Sequence, residues 1–114
     1  LNIMKIQDLV DSLGLVVFTG QSLLENEVTG GYTSDLLSDV MGFAKEGNVW
    51  ITLQTHKNVI GVASLKDLSA ILLIKGFEPD ADALALAEKE DIPILGTKMG
   101  AFEISAKIYN LINN

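Results

Sequence analysis

Ile3, Ile6, Leu9, Val10 and Leu13 recur at the spacing of one helical face, and Gly14 follows as a C-terminal stop. Leu15-Val16-Val17-Phe18 breaks that period with a short, partly β-branched run that predicts a strand, ended by Gly20. Val28-Thr29-Gly30-Gly31 leads, as a turn, into Thr33-Ser34-Asp35, a cluster of N-cap residues with a carboxylate to offset a helix dipole. The helix predicted behind it carries Leu36, Leu37, Val40, Met41 and Ala44, and Gly47-Asn48 closes it.

Val49-Trp50-Ile51-Thr52-Leu53 predicts the next strand, and a short helix over Asn58 to Lys66 follows. Ala70-Ile71-Leu72-Leu73-Ile74 has no polar alternation, the pattern of a strand covered on both faces. Pro79 is placed to open another helix, with Ala83, Leu84, Leu86 and Ala87 inward and Glu88, Lys89 and Glu90 outward. Ile92-Pro93-Ile94-Leu95 predicts a last strand. A closing helix from about Ala101 presents Phe102, Ile104, Ile108, Leu111 and Ile112. Short strands alternating with helices predict crossover units, hence an α/β fold with a mostly parallel central sheet flanked by helices. No repeat, linker or low-complexity stretch interrupts residues 1–114, which read as a single compact domain.

Composition narrows the chemistry. The 114 residues include no cysteine, so disulfides, thiol nucleophiles and thiolate metal sites are excluded within this sequence. All eight basic residues are lysines and the net charge is -7, a poor match for nucleic acid or an anionic membrane surface. No apolar run approaches the roughly 20 residues that span a bilayer, and no signal segment opens the sequence, so a cytoplasmic protein is expected. The apolar fraction of 48% is high for this length and predicts that some apolar surface serves a subunit interface, most simply in a homodimer.

In an open parallel sheet, ligands bind outside the carboxyl ends of the strands. The candidate binding residues there are Thr29, Gly30 and Gly31 after one strand, and Gln54, Thr55 and His56 after another. Lys75 and Gly76 follow the third, and Thr97 with Lys98 the last. Glycine permits close backbone approach, threonine offers a hydroxyl and lysine a mobile charge, so together they suit a small anion or nucleotide. The same residue types also serve the geometry of strand-to-helix turns. Thr29-Gly30-Gly31 lacks the spacing of a phosphate loop. His56 has no evident orienting partner for general-base work. Asp35 and Asp39, one helical turn apart, could share a cation but more often such carboxylates offset the helix dipole or solvate a face, and no serine sits in a nucleophile elbow. No catalytic residue, metal site or cofactor is expected.

From Glu27 onward the sequence resembles the DRTGG domain family. The resemblance rests on Val28-Thr29-Gly30-Gly31-Tyr32 with Ser34 to Val40, then Trp50 to His56, then Ala70 to Ile74 with Gly76-Phe77-Glu78-Pro79, and Ile92-Pro93-Ile94-Leu95 with Phe102-Glu103. The family's small α/β domain occurs as a regulatory module in phosphotransacetylases and CBS-containing inorganic pyrophosphatases, and is similar to the N-terminal domain of HPr kinase/phosphorylase. A stand-alone form looks like proteins encoded beside iron-only hydrogenase genes. In this sequence the family's Asp-Arg pair falls on Thr55 and His56, and its Thr-Gly-Gly on Lys75, Gly76 and Phe77, so only Gly76 is retained. The resemblance implies a regulatory or protein-interaction domain, with a hydrogenase or other redox enzyme as the partner class. The alternative is a sensor of a nucleotide or other anion at the strand ends.

Overall fold

The strands without polar alternation form the middle of the molecule. In the computed structural model, which describes residues 3–114, the chain runs α1 (Ile6–Leu13), β1 (Val16–Thr19), a 3-10 turn (Gln21–Leu23), β2 (Gly30–Thr33) and α2 (Leu37–Phe43). It continues through β3 (Asn48–Thr52), α3 (Asn58–Leu65), β4 (Ala70–Leu73), α4 (Ala81–Glu90), β5 (Ile94–Gly96) and α5 (Ala101–Ile112). The five strands make one sheet in the order β1-β5-β4-β3-β2, and every residue of β3 and β4 is buried. The sheet is mostly parallel, as the crossover pattern predicts: β2, β3, β4 and β5 run together, and β1 alone is antiparallel, beside β5.

Successive parallel strands step across the sheet in one direction. Right-handed crossovers therefore place α2, α3 and α4 on the same face. Alternation sends Trp50, Ile71, Leu73 and Ile94 into that face, where they pack with Val40, Val59, Ile60, Ala63, Ala83 and Ala87. Val49, Ile51, Ala70, Leu72 and Leu95 point the other way, against Ile6 and Leu9 of α1 and Ile104 and Ile108 of α5. Trp50 is wholly buried, and its indole N–H donates to the Ser34 carbonyl at 2.8 Å, so the ring's one polar atom is satisfied. Among the described residues, no helix is long and apolar enough to cross a membrane.

Several local expectations are corrected. Gly30-Gly31-Tyr32-Thr33 is an edge strand rather than a turn, paired residue for residue with Asn48–Ile51. Thr33-Ser34-Asp35 does not cap α2. That helix starts from Leu36 with no side-chain cap, because the Asp35 carboxylate is committed to the end of β3. It stops at Phe43, so Gly47-Asn48 does not close it and Asn48 opens β3 instead. Pro79 lies before the N-cap residue, Asp80, rather than in the first turn of α4. Ile3 precedes α1, and Phe102, expected inward, is 91% exposed on α5.

Candidate functional site

Three of the four parallel strands deliver candidate residues to one edge of the sheet. β3 ends in Thr52 and feeds Gln54, Thr55 and His56; β4 feeds Lys75 and Gly76; β5 feeds Thr97. α4 leaves β4 toward one face, and α5 covers the other, so the connections diverge after β4 and β5. Such a divergence opens a crevice at the carboxyl ends of those two strands. A cleft of about 180 Å³ lies there, between Val16 and Phe18 of β1 on one side and Gly76, Phe77, Thr97 and Lys98 on the other.

The glycine in β5 shapes that cleft. A Cβ on Gly96 would stand 2.5 Å from the Phe18 ring, so only glycine lets the ring lie against the strand. Lys75 and Gly76 both adopt positive φ, 58° and 75°, turning the chain sharply off β4. Their backbone N–H groups donate to Met99 and Thr97 carbonyls, each at 2.9 Å. Thr97, itself 9% exposed, donates its N–H to the Leu73 carbonyl at 2.9 Å, and its hydroxyl accepts from the Met99 N–H at 3.2 Å. The amides expected to cradle an anion at Gly76 are thus already paired.

The end of β3 is tied as well. One Asp35 carboxylate oxygen accepts from the Thr52 hydroxyl and from the Leu53 N–H, both at 2.8 Å. The Gln54 amide nitrogen donates to the Asp35 carbonyl at 2.9 Å, which leaves its oxygen as the acceptor facing His56 Nε2 at 2.8 Å. The imidazole therefore carries a proton on Nε2. Nδ1 is buried without a partner. Thr55 Oγ1 donates to the Asp80 carboxylate at 3.1 Å, and the Thr55 carbonyl accepts from the Asp80 N–H at 3.0 Å. These bonds lock the β3 exit to the start of α4.

Thr29, Gly30 and Gly31 are elsewhere. They enter β2 at the amino edge of the sheet, where Gly30 lies opposite Asn48, and they share no pocket with Lys75 or Gly76. The Thr29 hydroxyl donates to the Glu46 carbonyl at 2.7 Å. A wider cleft of about 380 Å³ at that edge is lined by Thr29, Glu27, Glu46, Asp67 and Ser69, whose hydroxyl is buried without a partner. Among the described residues, no group of three or more acidic or histidine side chains could hold a metal ion.

Sequence reasoning missed Phe18 and Asp35 as parts of the site. A glycine inside the apolar run of β5 was the available signal for Phe18, since glycine in a strand marks close approach by another group. Away from this edge, Tyr32 donates to the Asp39 carboxylate at 2.8 Å, and that bond holds the phenol above its ordinary pKa, with burial and the carboxylate's charge adding to it.

Comparison with known proteins follows the same geometry. No curated protein matches the sequence. Among solved structures, the CBS and DRTGG domains of the regulatory region of Clostridium perfringens pyrophosphatase, complexed with its activator diadenosine tetraphosphate, superpose with a TM-score of 0.73 at 16% identity. The match covers 92% of this chain and 46% of that one, so this chain spans about half of that regulatory region, and the likeness is one of fold. The DRTGG domain family matches residues 8–111, nearly the whole sequence, and the chain belongs to that family.

Proposed function

We propose that the chain is a non-catalytic regulatory module of the cytoplasm that works through contacts with another protein. The observation that carries this reading is the extent of pairing at the carboxyl edge, where, among the described residues, His56 Nδ1 is the one buried side-chain polar atom left without a partner. Gln54, Thr55, His56, Gly76 and Thr97 spend their hydrogen bonds on one another and on Asp35, Asp80 and Met99. An edge so tied presents a fixed shape rather than free donors awaiting a reaction. Phe77, 47% exposed beside it, gives that shape an apolar contact point. The partner class is a hydrogenase or other redox enzyme. Surface plasmon resonance against an iron-only hydrogenase should detect binding that Phe77→Glu weakens. Binding indifferent to Phe77→Glu counts against this contact face.

A second reading has its own support in the cleft between Phe18 and Phe77. Two aromatic side chains flank a space of about 180 Å³, and Lys98 stands at its rim. That space suits one planar ring, with Lys98 as a point charge for an attached phosphate. The structural neighbour that shares the fold was solved with a nucleotide activator. Calorimetric titration with AMP, ATP, pyrophosphate and diadenosine tetraphosphate separates the two readings. Binding of the adenine compounds, weakened by Lys98→Ala and by Phe77→Ala, makes the module a sensor. Absence of heat at millimolar ligand leaves the protein-contact reading alone.

A further inference from the structure

We infer that the free edge of β2, with the flanks of α2 and α5 beside it, is a two-fold interface on which a second copy of this chain docks. The inference is independent of both ligand and partner enzyme.

The two edges of the sheet are unlike. β1 is broken by a register irregularity between Val17 and Thr19, a device that discourages further pairing. β2 has none, and Gly30-Gly31-Tyr32-Thr33 contains neither charge nor proline. Lys5 bridges to Glu27 and the Met4 carbonyl accepts from the Val28 N–H, both before β2 begins. Within the described residues, then, nothing pairs with the outer side of Gly30–Thr33. The Ser34 N–H donates inward to the Ile51 carbonyl, so alternation turns the peptide groups of Thr33 and Gly31 outward.

The helices that bracket this edge carry matching stripes. On α2 and its N-cap, Leu36, Asp39 and Phe43 fall at i, i+3 and i+7, one face of a helix. On α5, Phe102, Ser105 and Tyr109 repeat the same spacing. The middle residue of each stripe bonds to the edge strand: Asp39 accepts from Tyr32 Oη, and Ser105 pairs with Thr33 Oγ1, each at 2.8 Å. Both stripes therefore face the β2 side and are pegged at the level of Tyr32 and Thr33. Their outer residues are left bare, Leu36 at 64%, Phe43 at 70%, Phe102 at 91% and Tyr109 at 67% exposed.

This arrangement is self-complementary. A two-fold axis normal to the sheet near Tyr32 sets β2 antiparallel to its copy and keeps each helical layer level. Leu36 then meets Phe43 of the second copy, and Phe102 meets Tyr109, each contact occurring twice. At about 200 Å² for a whole aromatic side chain, the three rings alone expose roughly 450 Å² per copy, more than half of the ~800 Å² that each partner gives to a stable interface. The net charge of -7 on each chain opposes association, and the stripes add no free charge to it, because their one carboxyl group, Asp39, already accepts from Tyr32.

Light scattering on the whole protein at micromolar concentration should give twice the 12.3 kDa chain mass. Phe43→Glu and Tyr109→Glu should each weaken the dimer by about tenfold or more, with circular dichroism unchanged because both side chains are exposed. Phe77→Glu, on the far side of the molecule, should leave it intact. Amide exchange at Gly31 and Thr33 should be slow in the dimer and fast in Phe43→Glu. A monomeric wild type overturns the inference, whatever ligand or enzyme the protein binds. So does a dimer that survives both stripe substitutions, or one that Phe77→Glu breaks.

Discussion

Asp35→Ala tests how much of the carboxyl edge depends on a single carboxylate. Asp35 is exposed, which by itself predicts a near-neutral substitution. Its partners argue otherwise. The Thr52 side chain belongs to a residue only 1% exposed, and its hydroxyl proton has the Asp35 oxygen as its acceptor. Removing that acceptor leaves the buried hydroxyl's proton unpaired while its oxygen still accepts from the Gln54 N–H at 3.2 Å, at a cost of about 1–2 kcal/mol, and loss of the bond to the more exposed Leu53 N–H adds about 0.5–1.5 kcal/mol. The sum is roughly 1.5–3.5 kcal/mol. Unfolding entropy of about 2.1 cal/mol/K per residue makes 1 kcal/mol worth about 4 °C in a chain of this length, so the melting temperature should fall by roughly 6–15 °C. Urea denaturation should show a lower midpoint with an unchanged slope. Asp35→Asn keeps one acceptor oxygen and should lose about half as much. An Asp35→Ala protein within about 0.5 kcal/mol of wild type refutes the claim that this carboxylate fastens the end of β3.

Two further outcomes are expected. Gly14 and Gly20 both have positive φ, 64° and 92°, but a Cβ on Gly14 meets nothing within 4 Å whereas one on Gly20 falls 2.6 Å from Pro93 Cα. Gly14→Ala should therefore cost about 1 kcal/mol in urea unfolding and Gly20→Ala about 3 kcal/mol or more; equal costs contradict the close approach. Tyr32, held above its ordinary pKa of 10.0 by its bond to Asp39, stabilises the fold fully below that value, and the contribution disappears as pH rises through the folded-state pKa. Ultraviolet titration should show a tyrosine ionising late that Tyr32→Phe abolishes; early ionisation of Tyr32 would exclude the bond in solution.

The inner strands were legible because burial on both faces writes itself into sequence: Val49-Trp50-Ile51 and Ala70 to Leu73 admit no polar residue. The helices behind β3 and β4 followed from their period. β2 was not legible, since two glycines carry little strand propensity and an edge strand needs only half a pattern. Its misreading as a turn also moved Thr29, Gly30 and Gly31 to the wrong end of the sheet. Asp35 was read as a cap because Thr33-Ser34-Asp35 is a capping composition. Its tie to Thr52 spans 17 positions, and no local pattern encodes that. The reversed direction of β1 was hidden for a related reason: hydrophobic runs record burial but not orientation. Phe102 was misplaced because an exposed aromatic on an amphipathic helix looks the same in sequence as a core one.

The one-way march of β2 through β5 commits three helices to a single face and leaves the opposite face to α1 and α5, which contact each other there. The first and last helices are thus lane-mates on one side of a stiff partition. Load placed on either helix passes straight into the sheet, since both are seated on it. Ile6, Leu9, Ile104 and Ile108, none of which lies at the carboxyl edge, join that pair of helices to the inner strands.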